Sequence, residues 1–262
     1  MKKNDVLKEI VLKKKERLAA AKQNLPEDAI KALMQGLAPV RPFMKAINKP
    51  SSISLIAEIK KASPSRGVIR NDFDPVGIAR IYKEAGAQAL SVLTEEDFFQ
   101  GSPAFIQDIK SAVDLPVLRK DFIIEPYQVY ESRLLGADAI LLIADLLSKD
   151  SLSELLRIAS GLGLECLVEA HTEKDLKKVL SLKVPLVGIN NRDLHTLETD
   201  PRTIERLFIL APKDRVVVAE SGIKSSSDIL FLKILGVKAV LIGQAFMESL
   251  DIKQKVEDVM GW

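Results

Sequence analysis

LLGADAILL, residues 134–142, passes from an amphipathic run into a short apolar one through a single glycine. The preceding run, EPYQVYESRLLG (125–136), carries apolar residues at helical spacing, and Gly136 falls where a helix ends in a left-handed residue. The following run, DAILLIA (138–144), has the length and apolar character of a buried strand. The same step recurs in EAGAQALSV (84–92) and ILGVKAVLI (234–242), with Gly86 and Gly236 at the turn.

The pattern extends along the chain. Strand-like runs are SLIAEIK (54–60), QALSVLT (88–94), PVLRKD (116–121), DAILLIA, ECLVEA (165–170), PLVGIN (185–190), VVVAES (216–221) and KAVLIG (238–243). Between them lie helical patterns such as DPVGIARIYKEAG, PAFIQDIKSAV and SSSDILFLKILG. Short strands alternating with single helices imply parallel βα units. Eight of them predict an α/β fold, a closed (β/α)8 TIM barrel, in a chain of 262 residues. An open doubly wound sheet would place a glycine-rich turn after its first strand; KKASPSRG lacks that spacing, and the GLG at 161–163 precedes a strand. Residues 1–48 read as a helical extension of the same domain, interrupted by Pro26, Pro39 and Pro42, that closes the barrel's base or edges its mouth. No linker marks a second domain.

Composition narrows the function classes. With 38 basic and 36 acidic residues, no global field favours nucleic acid or an anionic membrane, so any anion site must be local. Lysines at positions 2 to 15 alternate with Val6, Leu7, Ile10, Val11 and Leu12, as on the solvated face of an amphipathic helix. The longest apolar stretch is too short to span a bilayer, and the N-terminus has no signal-peptide core. Cys166 is alone and reads as a small core residue; no Cys/His cluster has zinc-ligand spacing, and a reducing cytoplasm is the expected setting.

Charges at the strand ends point to a site. Alternation puts Ile56, Glu58 and Lys60 on one face of the first strand, and Leu55, Ala57 and Ile59 on the other. The apolar triplet suits the helix layer, so Glu58 and Lys60 should point inward near the C-terminal mouth. Other strands end in Lys120, Glu169, Asn190 and the pair Glu220–Ser221. Polar side chains from several strands thus meet at the end where active sites of this architecture sit, although any one of them could simply be solvated. AESGIKSSSD runs through Gly222 to a helix that Ser225 or Ser226 could cap, and LIGQAFM passes through Gly243 directly into another. Backbone N–H groups at such helix starts, after the last two strands, suit a phosphate; ordinary turn and cap chemistry is the alternative. His171 and His195 fit neither a nucleophilic triad nor a metal pair and are expected to face solvent.

IAEIKKASPSRG, ALSVLTEEDFFQGS, PVLRKDFIIEPYQVYESRLLGADAILLI, LVEAHTEKDL, VGINNRDL, VVAESGI and VLIGQAFM together resemble the indole-3-glycerol phosphate synthases, in order, from about residue 50 to 250. The resemblance implies a lyase of tryptophan biosynthesis without metal or organic cofactor. Its substrate would be 1-(2-carboxyphenylamino)-1-deoxyribulose 5-phosphate, converted by ring closure, decarboxylation and dehydration to indole-3-glycerol phosphate. Lys120 then becomes the general acid of ring closure, and Lys60 either holds the anthranilate carboxylate or donates a proton at dehydration. Glu169 stabilises charge on the ring nitrogen or removes the proton at aromatisation, while Glu58 orients one of the lysines. Neighbouring ammonium groups would lower each other's pKa, and Glu58 and Glu169 would oppose that.

By the same resemblance, Asn190 and Glu220 bind the ribulose hydroxyls or fix the lysines, and Arg192 supports that wall or meets the carboxylate. Ser63, Ser221, Gly222, Gly243 and Gln244 are candidate phosphate binders, the last two through backbone amides, so the side chain at 244 should matter little. Phe99 and Phe122, with Leu141 or Leu142, stack on the aromatic ring or belong to the core. The segment ASPSRGVIRNDFDP, which carries Gly67, could close over substrate or stay a static loop. The partner expected is a small phosphorylated molecule, with no nucleic acid or membrane, on a monomer or weak homodimer that a partner enzyme could join non-covalently. A phosphoribosylanthranilate isomerase would share the phosphate loops but not the lysines of EIKKASPS and LRKDF. A catalytically idle sugar-phosphate binder would not need Lys60, Lys120 and Glu169 together.

Overall fold

The computed structural model describes residues 5–50 and 52–262. Eight parallel strands form a closed barrel: β1 (Ser54–Ile59), β2 (Ala89–Leu93), β3 (Val117–Lys120), β4 (Ala139–Ile143), β5 (Glu165–Ala170), β6 (Leu186–Asn190), β7 (Val216–Glu220) and β8 (Ala239–Ile242). Each lies within a run read from the sequence. The circle closes where Ser54 to Ala57 of β1 pair with Ala239 to Ile242 of β8. Gly86, Gly136 and Gly236 all have positive φ, as the helix-to-strand step demanded.

Side-chain alternation divides the apolar residues into two cores. Leu55, Ala57 and Ile59 join Leu90, Val92, Val187 and Ile189 in the layer between strands and helices. Ile56 joins Ala89, Leu118, Leu141, Leu167, Val218 and Leu241 inside the barrel. The lumen is therefore packed below its rim, and only the last inward position of each strand is free to carry chemistry.

The N-terminal segment does both things that were open to it. The helix Phe43–Ile47 inserts Phe43 and Ile47 into the lumen cluster, and the Met44 backbone N–H donates to Glu165 at the start of β5, so this helix seals the base. Nearby, Arg41 donates to the carbonyls of Val113 and Leu115, and its own backbone N–H donates to Asp138. Helix α1 (Val6–Asn24) lies at the mouth, with Leu7 and Ile10 in the lumen cluster and Arg17 paired with Glu96 and Asp97. Lys14 departs from the solvated-face reading: it is buried and pairs with Asp121 at 2.7 Å. Lys2 and Lys3 of that lysine cluster lie outside the described residues. Among the described residues, no helix is long and apolar enough to cross a membrane.

Candidate active site

A cavity of about 930 Å³ opens at the C-terminal end of the barrel, within the size range of small-molecule sites. Its walls include Glu58, Lys60, Ser63, Phe99, Lys120 and Phe122 from the first three strands and their loops. Glu169, Asn190, Arg192, Glu220, Ser221, Gly222, Gly243 and Gln244 complete it from β5 to β8. Every site residue read from the sequence thus borders one space. Of the two leucines considered, Leu141 lines it, whereas Leu142 faces the helix layer.

Lys120, the last residue of β3, is at the centre of the charge. Its Nζ lies 2.8 Å from Glu169 Oε2 and 3.0 Å from Glu220 Oε2. Burial works against the ammonium, but Glu169, Glu220 and Glu58 outweigh it and hold the Lys120 pKa well above the usual lysine range. Carboxylates, not the second lysine, therefore set this group. Burial would also raise Glu169, yet Lys120 and His171 reverse the sign and keep it well below the usual carboxylate range. Glu220 goes the other way, raised by burial and by the neighbouring Glu169. Lys60 forms its own pair with Glu58.

Two glycines make the crowding possible. A Cβ on Gly188 would stand 2.3 Å from Glu220 Oε1, and one on Gly243 would stand 2.4 Å from Glu58 Oε2. Gly188 faces Glu169 across the β5–β6 pair, two residues before Asn190, so an inward side chain there would fill the slot beneath the rim. Asn190 reaches Glu169 Oε1 at 3.1 Å through Nδ2, and its Oδ1 accepts from the Arg192 backbone N–H. Arg192 donates to Ser65 at 2.8 Å and to Gln244 Oε1 at 3.1 Å, linking the loop after β1 to the loop after β8. The Gln244 side chain is thus engaged, contrary to the expectation that its identity matters little.

In the loop after β7, Ser221 and Gly222 both have positive φ, 65° and 81°. For serine this region is unfavourable, and such strain is typically kept where it serves a site. Ser225 caps the helix Ser226–Leu235 in a capping box with Asp228, and Gly243 precedes the helix Gln244–Met247. Ser63 lies in a short hairpin, Ala62–Ser63 with Gly67–Val68, across the cavity. Arg70, just beyond the hairpin, donates to the Ser249 carbonyl at 2.8 Å and fastens its base.

Phe99 and Phe122 form a tilted pair, with ring centroids 6.1 Å apart, on the remaining wall. The turn that presents Phe99 is organised by Glu95, a fully buried carboxylate accepting backbone N–H bonds from Asp97, Phe98 and Phe99. Behind Lys120, Asp121 accepts from Thr94 at 2.6 Å and pairs with Arg119 at 3.1 Å and with Lys14. Sequence reasoning missed Gly188, Glu95 and this Arg119–Asp121–Lys14 network. The signal for Glu95 was the acidic run TEEDFF just after a strand; Gly188 had none beyond a glycine in mid-strand, which often marks close approach.

One of the two histidines needs correction. His171 does not face solvent: its side chain is 9% exposed and Nε2 lies 3.0 Å from Glu169 Oε1, because the chain turns back over the rim before the helix Glu173–Ser181. His195 is half exposed but bridges Asp5 at 3.0 Å and Asp145 at 2.8 Å.

A closed parallel barrel with an ammonium held between carboxylates at its C-terminal rim, above a packed lumen, defines a (β/α)8-barrel enzyme. The family model for indole-3-glycerol phosphate synthase matches residues 7–259, and the chain belongs to that family. The indole-3-glycerol phosphate synthase of Acetivibrio thermocellus is 46% identical, with 97% of this chain and 98% of the relative aligned. That of Geobacillus thermodenitrificans is 50% identical over 84% of this chain and 86% of its own. Among solved structures, 3-hexulose-6-phosphate synthase from Salmonella typhimurium superposes with a TM-score of 0.64. That match covers 80% of this chain and 97% of the other at 13% identity, a likeness of fold alone.

Proposed function

We propose that this cavity carries out the family's reaction on 1-(2-carboxyphenylamino)-1-deoxyribulose 5-phosphate, with Lys120 as the general acid of ring closure. The observation that carries the assignment is the Lys120 ammonium, buried against Glu169 and Glu220 at the floor of the cavity. The ring carbon bearing the carboxylate bonds to the ketone carbon, and the carbonyl electron pair becomes an alkoxide that takes the Lys120 proton. An ammonium held this firmly is a weak acid toward water, yet an alkoxide is a far stronger base than water. Carbon dioxide leaves, returning its bonding pair to the ring. The hydroxyl then leaves as water with a second proton, for which Lys60 is the donor, its ammonium steadied by Glu58. Glu169, held anionic, removes the proton on the adjacent carbon, whose pair forms the indole double bond.

Ser63, Ser221, Gly222 and the backbone amides of Gly243 and Gln244 take the phosphate. Asn190 and Arg192 fix the wall beside Glu169, and Phe99 and Phe122 flank the aromatic ring. The described part of the N-terminal extension, residues 5–48, serves as part of the same barrel domain, given the contacts of α1 at the mouth and of the helix Phe43–Ile47 at the base. The lone cysteine supports a reducing, cytoplasmic setting, and the working unit is a monomer or weak homodimer.

The test is product fluorescence on mixing protein with this substrate, beside Lys120→Ala. Loss of a general acid lowers kcat by about 10² to 10⁴. A variant that turns over like wild type would sink the role of Lys120. A folded wild type that gains melting temperature with the ligand but forms no indole would leave a sugar-phosphate binder.

A further inference from the structure

The two carboxylates around Lys120 differ in what else they touch. The lysine itself separates them little, at 2.8 Å from Glu169 Oε2 and 3.0 Å from Glu220 Oε2. Their other oxygens are unlike. Glu169 Oε1 has Asn190 Nδ2 at 3.1 Å and His171 Nε2 at 3.0 Å. Glu220 Oε1 is buried in the notch left by Gly188 and finds no hydrogen-bond partner among the described residues. A buried, unpartnered oxygen is costly on an anion and much less so on a neutral carboxyl group.

His171 is itself nine-tenths buried, and its Nδ1 has no partner among the described residues. Its approach to Glu169 is at ion-pair distance without the alignment of a good hydrogen bond, and such contacts commonly tighten only when substrate binds. With either a neutral Nε2–H tautomer or an imidazolium, the ring presents a donor to Glu169.

We propose that His171 is a positioning residue acting through Glu169: by meeting that carboxylate and not Glu220, it fixes the negative charge of the pair on Glu169 and leaves the proton on Glu220. The inference rests on the reading of Lys120 and Glu169 as acid and base. It makes Glu169 the one base of the pair and keeps Glu220 a neutral carboxyl group against the Gly188 notch. Separating two neighbouring carboxyl groups by their surroundings is how a site obtains an acid and a base from one residue type. The charged groups facing His171 are Glu169 from β5, Glu220 from β7 and Lys120 from β3. Burial disfavours the imidazolium, but Glu169 outweighs it and raises the His171 pKa.

The experiment compares kcat/KM against pH for wild type, His171→Leu and His171→Gln, with melting temperature as a check on folding. Without the donor, the acid limb set by Glu169 should rise by about one pH unit, so that kcat/KM on that limb falls roughly tenfold. His171→Gln, which restores an N–H donor, should return the limb toward wild type. A uniform drop in kcat with an unmoved limb, or no change, would overturn the proposal. A second readout needs no turnover: the infrared band of a protonated carboxyl at pH 7 should be present in wild type and vanish in Glu220→Gln. A band that persists in Glu220→Gln, or no such band in wild type, would also overturn it. Lys120→Ala run in parallel separates the cases, since full activity there would remove the acid–base reading while the infrared assignment stands or falls alone.

Discussion

Replacing Gly188 by alanine isolates the geometry of the rim from its composition, because no charged or polar group is altered. The added Cβ would lie 2.3 Å from Glu220 Oε1, with its next neighbours, Leu167 Cδ1 and Glu169 Cα, in ordinary contact at 3.4 and 3.5 Å. The carboxylate must retreat by about 1 Å, which pulls it off Lys120; a displacement of that size within a catalytic constellation costs about 10²-fold in rate. The fold should tolerate the change better, since the atom in the way is the end of a side chain: overpacking of this kind costs about 1–3 kcal/mol. Steady-state indole formation and a denaturant titration read the two effects separately. The double variant Gly188→Ala/Glu220→Ala sharpens the test, because with the carboxylate gone the methyl has room and should add almost nothing to Glu220→Ala. Activity of Gly188→Ala within about threefold of wild type, or additive losses in the double variant, would refute the reasoning.

Four further outcomes follow from contacts already described. In the folded chain Glu220 is raised from an ordinary 4.5 to about 8, so between those values the native state holds a proton the unfolded chain has lost. Stability should fall as pH rises through that window, and Glu220→Gln should flatten the fall in denaturant titrations at pH 5 and pH 8. Asp121 is the opposite case: burial would raise it, but Arg119 and Lys14 depress it from 3.8 to about 2. Its contribution is present above 3.8 and lost as pH drops toward 2, so Asp121→Asn should show a weaker acid transition there. Lys14→Met leaves that carboxylate short of a partner and should destabilise by about 3–5 kcal/mol in a melting or urea experiment. Gln244→Ala removes one acceptor from Arg192, and the loss of about 1 kcal/mol should appear as a roughly fivefold rise in KM with kcat held.

The barrel was legible because its rules are local and repeated. A glycine at the end of each of three helices, followed by an apolar run, revealed the βα step, and strand alternation alone sorted Glu58 and Lys60 from Leu55 and Ile59. The rim was legible for the same reason: Lys120, Glu169, Asn190 and Glu220 occupy corresponding places at four strand ends. What escaped was whatever depends on distance between segments. Lys14 looks like its neighbours on a solvated helix face, and only the docking of α1 at the mouth brings it to Asp121. His171 sits two residues past a strand, where sequence cannot tell a side chain turned back over the rim from one in water. Gly188 is an ordinary strand glycine until Glu220, 32 residues later, claims the space its side chain would fill.

The seam at which the barrel closes has a consequence for how the chain acquires activity. Strand β1 is the first of the eight barrel strands to be made, yet one of its two partners is β8, from Ala239 onward. Until that partner arrives, β1 keeps an open edge, and contacts this distant in sequence form slowly. Glu58, which steadies Lys60, is seated against Gly243 at the same seam. Helices and most strands can therefore be in place while the site is still incomplete, and recovery of turnover during refolding should lag behind recovery of helical signal.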